Sequence, residues 1–110
     1  MIERKQIEEF ASEIARQFSP EKIILFGSHA RGTANRDSDV DMLVIMDYPE
    51  RRGAYKAVEI ETKINPHFPL DLLVRRGPEV EIRLQEGDFF WMDIIKEGVV
   101  LYDAAYKKMA

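Results

Sequence analysis

The chain has 110 residues, 45% of them apolar, with 20 acidic against 16 basic side chains and a net charge of −4. That length predicts a single domain, residues 1–110, with one modest core. The 0 Cys exclude a disulfide framework and a Cys-ligated metal site, and the acidic balance argues against a nucleic-acid coat, so no direct nucleic-acid binding is expected. In chain order, residues 1–6 mix acid and base with no apolar core behind them, so no signal peptide is expected. The longest apolar stretches, 22–27 and 89–95, are too short to cross a bilayer, and a cytoplasmic domain with no membrane partner is the expectation.

Ile7, Phe10, Ala11, Ile14, Ala15 and Phe18 recur at helical spacing and predict an amphipathic helix over about 2–18, stopped by Ser19-Pro20. Residues 22–27 are short, apolar and rich in β-formers, which predicts a buried strand. Residues 28–38 are small, polar and charged and predict a helical turn followed by a loop. A second strand is expected over 39–46, ended by Tyr48-Pro49. Tyr55, Val58 and Ile60 carry a weaker helical pattern over 50–64, broken by Asn65-Pro66-His67. A third strand over 69–75 is expected to end at Gly77-Pro78, before helix over 79–96 with a break at Gly87-Asp88. Gly98 is a natural C-cap, a short strand follows over 99–102, and 103–110 are read as a tail. The order predicts an α/β (α+β) fold in which helices pack on a small mixed β-sheet.

One stretch carries chemistry. Gly27 ends the first strand, where a ligand can approach the backbone, and Ser28 can open a short helix whose free N–H groups suit phosphate. Asp39 and Asp41 stand at i and i+2 of a strand, on one face and roughly 6–7 Å apart along the backbone. Such like charges call for a cation between them, and Mg²⁺ binds through a couple of carboxylates plus substrate phosphates. Asp71 sits among Leu70, Leu72, Leu73 and Val74 in the third strand, where an Asp is costly unless paired or metal-bound. A third carboxylate beside the first two would complete a two-metal site for in-line phosphoryl transfer.

Gly27-Ser28, then Asp39-x-Asp41, then a strand Asp at Asp71, resembles the DNA polymerase beta-like nucleotidyltransferase superfamily. The Gly-Ser-x-Ala-Arg-Gly wording and the ending Glu97-Gly98-Val99-Val100-Leu101-Tyr102 look most like its minimal nucleotidyltransferases (MNT), the partners of HEPN-domain toxins in toxin–antitoxin pairs. The resemblance implies a polymerase beta-like palm fold. It implies that Asp39, Asp41 and Asp71 hold two Mg²⁺ ions, with Asp71 helping to deprotonate the acceptor, and that Gly27 and Ser28 hold the triphosphate of ATP. It implies transfer of AMP to a hydroxyl, a tyrosine or another, on a HEPN ribonuclease toxin. Two alternatives stay open: an antitoxin that neutralises its partner by complex formation, and transfer to a small molecule such as an aminoglycoside. A homodimer is also left open.

Blander readings stand beside these. Asp39 and Asp41 could face solvent on a strand edge, but a calcium loop fails at Met42 and Tyr48, where Gly and Glu are needed. A P-loop is excluded because no Gly-Lys-Ser/Thr ending occurs. For Asp71 the plain alternative is an edge residue facing water. Arg31 either steadies triphosphate or pairs with Asp37 or Asp39. His29 and His67 read as surface loop residues, and Asp37 and Ser38 as turn-shaping ones. Phe89, Phe90 and Trp91 read as core rather than a base-stacking platform, with at least one left exposed for a partner. The Arg51-Arg52 and Arg75-Arg76 pairs read as solvated, the second near enough to the site to attract phosphate.

Overall fold

The computed structural model describes residues 1–106, 108 and 109. In chain order the elements are α1 (Arg4–Phe18), β1 (Lys22–Phe26), α2 (Ser28–Arg31), β2 (Val40–Ile45), α3 (Gly53–Lys63), β3 (Leu70–Arg75), α4 (Gly77–Gln85), α5 (Phe89–Glu97), β4 (Val99–Asp103) and β5 (Lys108–Met109). The expected tail instead turns after β4 and pairs again through β5, while 107 and 110 lie outside the described residues. Among the described residues no helix is long and apolar enough to cross a membrane.

The five strands form one mixed sheet in the order β3-β2-β1-β4-β5. β2 and β3 run parallel because α3 carries the chain back between them, as a parallel pair requires. The other pairings are antiparallel. Period-two alternation sends Ile23, Leu25, Val40, Met42, Val44, Leu72 and Val74 to one face, where α1 and α3 cover them with Ile7, Phe10, Ile14 and Ile60. The other face carries Ile24, Leu43 and Ile45 against Val80, Trp91 and Ile94 of α4 and α5. β2 is apolar almost throughout because both its faces are covered, with Asp41 as the exception.

Three local expectations change. Gly77-Pro78 does not merely end β3: it opens α4, with the proline in the first turn, where its missing N–H costs nothing. Gly98 caps α5 in an extended conformation, φ −70°, rather than a left-handed one. Glycine is needed there for space, since a Cβ would lie 2.3 Å from the Ile94 carbonyl oxygen and 2.5 Å from Ile24 Cγ2. α3 forms, but Tyr55 and Val58 are exposed. Its inner face is Gly53, Lys56, Ala57 and Ile60, at true helical spacing. The buried Lys56 ammonium meets Glu50 at 3.2 Å and Glu59 at 2.8 Å.

Gly53 lets the start of α3 touch β3, for a Cβ on it would stand 1.8 Å from the Val74 carbonyl oxygen. Gly53→Ala is therefore expected to overpack this contact at a cost of about 1–3 kcal/mol, read as a lowered thermal midpoint. Hydrogen bonds from Lys56 first and Lys63 second hold the Glu59 carboxyl at about 2, below its ordinary 4.5. A depressed carboxyl stabilises the fold above its ordinary pKa, and that contribution is lost as pH falls toward the folded value. Glu59→Gln should thus melt below the parent at pH 7, with the gap closing between pH 4.5 and about 2.

Candidate active site

Strand register builds the site. β1 ends at Phe26, which pairs with Asp41 on β2, and Asp41 pairs in turn with Asp71 on β3. Adjacent strands lie about 4.8 Å apart, so the Asp41 and Asp71 side chains leave the sheet as neighbours on the α5 side. Gly27 follows at φ 74°, ψ −156°, a conformation open to glycine. A Cβ there would fall 2.2 Å from Asp41 Oδ2, so the strand end rests directly against the carboxylate. Ser28 then opens the single turn of α2, whose Ala30 and Arg31 N–H groups donate to the Gly27 carbonyl oxygen.

A cavity of about 390 Å³ lies between these strand ends and α5. Gly27, Arg31, Asp41 and Asp71 line it, and Ser28 and Asp39 stand outside the lining set. Asp39 sits exposed just before β2, yet its charge reaches Asp41. Burial, then Asp71, then Asp39 raise the Asp41 carboxyl above its ordinary range, and the fields of His29 and Arg31 only partly oppose them. Among the described residues Arg31 has no ion pair, so neither Asp37 nor Asp39 holds it.

Asp71 is not the buried apolar-strand Asp that its neighbours imply. It stands exposed on the edge strand of the sheet, and register rather than burial brings it to Asp41. His29 is not a surface residue: it is buried, with Nε2 3.4 Å from the Ser38 carbonyl oxygen, and its own carbonyl accepts from Arg4 Nη2 at 3.1 Å. His29 thereby ties α2 to the loop that delivers Asp39. Asn35 and Ser38 shape that loop, with Ser38 Oγ accepting from Asn35 N at 2.9 Å and Asn35 Oδ1 from Asp37 N at 2.8 Å. His67 is the exposed loop residue expected.

Arg75 and Arg76 are not beside the site. Register places Arg75 at the Ile45 end of β2, roughly 13 Å along the strands from Asp41. The Arg75 guanidinium lies 5.9 Å from the Trp91 ring, and Arg76 covers Tyr48 at 4.0 Å while donating to the Tyr48 and Glu50 carbonyls. Of the three adjacent aromatics, Trp91 is buried, Phe89 is exposed and Phe90 lines the cavity together with Asp93 and Glu97 of α5. Sequence reasoning missed Asp93 and Glu97 as lining residues. The signal was present, since positions 90, 93, 94 and 97 make one helical stripe.

Among the described residues no three carboxylate or imidazole side chains form a ready-made ion cage. The donor set still suits a hard divalent cation: Asp41 and Asp71 offer oxygens, repel each other, and face a cavity where substrate oxygens could complete the coordination.

A nucleotidyltransferase domain model matches residues 5–101. A Methanocaldococcus jannaschii protein provisionally named a protein adenylyltransferase is 43% identical over 93% of this chain and 100% of that protein. The protein adenylyltransferase MntA of Thermococcus cleftensis is 43% identical over 44% of this chain and 48% of its own. Among solved structures, a Sulfolobus solfataricus protein provisionally described as a nucleotidyltransferase superposes with a TM-score of 0.66 at 20% identity, over 96% of this chain and 84% of that one. A toxin–antitoxin structure with AMP-PNP superposes at 0.57 and 22% identity, over 87% of this chain and 73% of that one. The mixed sheet with helices on both faces is thus the polymerase beta-like nucleotidyltransferase fold.

Burial first, and the charges of Asp71 and Asp39 after it, disfavour the ionised form of Asp41 in the fold. In chelator-treated protein at neutral pH, the isosteric Asp41→Asn is expected to melt a few degrees above the parent. Added Mg²⁺ should raise the midpoint of the parent more than that of the variant. Differential scanning fluorimetry reads both.

Proposed function

From membership in the nucleotidyltransferase domain family, to which this chain belongs, we propose that it moves AMP from ATP to a hydroxyl of a partner protein. The observation that carries this reading is the Asp41–Asp71 register pair, with Gly27 seated against Asp41 and, on the same cavity, Arg31, which has no ion pair among the described residues.

In this reading Gly27 backbone and the Ser28 hydroxyl donate to the triphosphate, and the Arg31 guanidinium neutralises part of its charge. Asp39, Asp41 and Asp71 would hold two Mg²⁺ ions, which when bound screen the phosphates and make the acceptor hydroxyl more acidic. Asp71, exposed on the edge strand, helps to take the acceptor's proton. The acceptor oxygen forms a bond to the α-phosphorus, the bond from that phosphorus to the bridging oxygen breaks, and pyrophosphate leaves. The protein contributes position and charge, which suits a reaction that asks for little covalent chemistry.

A relative's name, protein adenylyltransferase, supports a protein as acceptor. The toxin–antitoxin description of one fold neighbour supports a toxin as that protein. The finer reading is a tyrosine of a HEPN-type ribonuclease, silenced by adenylylation in the cytoplasm. A second reading has a specific observation behind it. Ile82, Phe89, Met92 and Ile95 leave apolar side chains exposed on α4 and α5, which favours neutralisation by complex formation alone.

The test incubates the chain and its co-purified partner with α-labelled ATP and Mg²⁺. Label on the partner, reduced about a hundredfold or more by Asp39→Ala/Asp41→Ala, is the expected outcome. No transfer, or equal transfer by the double variant, overturns the enzymatic reading. Neutralisation that survives Asp39→Asn/Asp41→Asn selects complex formation.

A further inference from the structure

The cavity wall facing the carboxylate strands is one stripe of α5: Phe90, Asp93, Ile94 and Glu97. Ile94 roots the stripe in the core at 2% exposure, whereas Phe90 keeps 52% of its surface open. Phe90 meets Phe26 edge to face, with ring centroids 6.1 Å apart and planes at 87°. It also meets Trp91 edge to face at 5.5 Å. These contacts fix its ring while leaving apolar surface toward a cavity that Gly27 and Arg31 also line. An aromatic packed on one side and held open on the other at that place offers a stacking surface to a flat ligand.

Charge divides the cavity. Among the described residues that line it, Arg31 is the one cation, and Asp93 and Glu97 add two carboxylates to those of Asp41 and Asp71. Arg31 draws phosphates to the Gly27 end, where a divalent cation held by Asp41 and Asp71 would screen their charge, whereas Asp93 and Glu97 leave the α5 wall repelling phosphate. What faces α5 is the uncharged end of the nucleotide. An ionised carboxylate accepts hydrogen bonds and donates none. The exocyclic amino groups of adenine, guanine and cytosine supply donors to it, while uracil presents carbonyl oxygens on either side of its single N–H.

Resting on the nucleotidyltransferase reading, we propose that this face of α5 is the nucleobase seat. Phe90 stacks the base, and Glu97 with Asp93 accepts from its exocyclic amino group, so the site takes an amino-bearing base such as adenine in preference to uracil. A site built to receive a donor discriminates strongly against an analogue that lacks it, because its acceptors are then left unpaired.

The experiment measures calorimetric binding of α,β-methylene-ATP, α,β-methylene-UTP and inorganic tripolyphosphate to the full chain with Mg²⁺. The parent is expected to bind the ATP analogue at least about tenfold tighter than the UTP analogue. Phe90→Ala should weaken the ATP analogue by about 5- to 150-fold, Phe90→Leu should not restore it, and tripolyphosphate affinity should stay unchanged in both. Asp93→Ala/Glu97→Ala should bring the ATP-to-UTP ratio toward one, even as the loss of two negative charges favours both triphosphates. Binding of the ATP analogue that ignores Phe90, or a ratio that the double variant leaves intact, overturns the seat alone. A parent that binds neither analogue overturns the nucleotidyltransferase reading and the seat with it.

Discussion

Two carboxylates that repel each other, Asp41 and Asp71, are held side by side by the parallel register of β2 and β3, and the site follows from that constraint. Neither residue's backbone can move away without breaking the sheet. Val40, Met42, Leu43 and Val44 flank Asp41 and are fully buried, and Leu72 and Val74 anchor β3 beside them. A one-residue slip of either strand would turn its buried set outward, so apolar burial on both faces enforces the register. The fold thereby stores repulsion at one point and offsets it with packing elsewhere, as functional sites commonly do.

The same alternation divides labour between the two faces. α1 and α3 seal one face with a core cluster that carries no site residue. The opposite face is closed by α4 and α5 over Leu43 and Ile45, while toward Asp41 the covering gives way to the cavity. Gly27 and Gly98 serve close approach at the two ends of the neighbouring strands, the first against Asp41 and the second against Ile24 and Ile94. At Gly98 the requirement is spatial and at Gly27 the positive φ adds a conformational one, so substitution at either would displace a neighbour rather than simply loosen a loop.

Periodicity made the elements legible because helices and strands expose local repeats: Ile7, Phe10, Ala11 and Ile14 mark α1 without any tertiary information. Local pattern misled where a residue's role came from its neighbours in space. Tyr55 and Val58 look like a helix's inner face, yet Gly53, Lys56 and Ala57 fill it, because α3 must approach β3 closely and Lys56 finds carboxylate partners there. His29 reads as a loop histidine and is buried, since α1 passes over the turn that holds it. Arg75 follows Asp71 closely in the chain but leaves the site at strand pitch.

By itself the sequence determined the chemistry class, for Gly27-Ser28, Asp39-x-Asp41 and Asp71 at their spacing match one family, and a domain model of that family covers residues 5–101. It also determined the run of helices and strands through β4, which depends on near neighbours in the chain, but not β5, which it read as a tail. The tertiary structure alone decided that strand pairing rather than burial brings Asp71 to Asp41, that among the described residues Arg31 has no ion partner, and that Phe90, Asp93 and Glu97 wall the same cavity. Those facts join residues up to 70 positions apart, from Gly27 to Glu97, and no local pattern carries such a distance. Sheet register and helix packing set it, and both are settled by which apolar faces the whole chain can bury together.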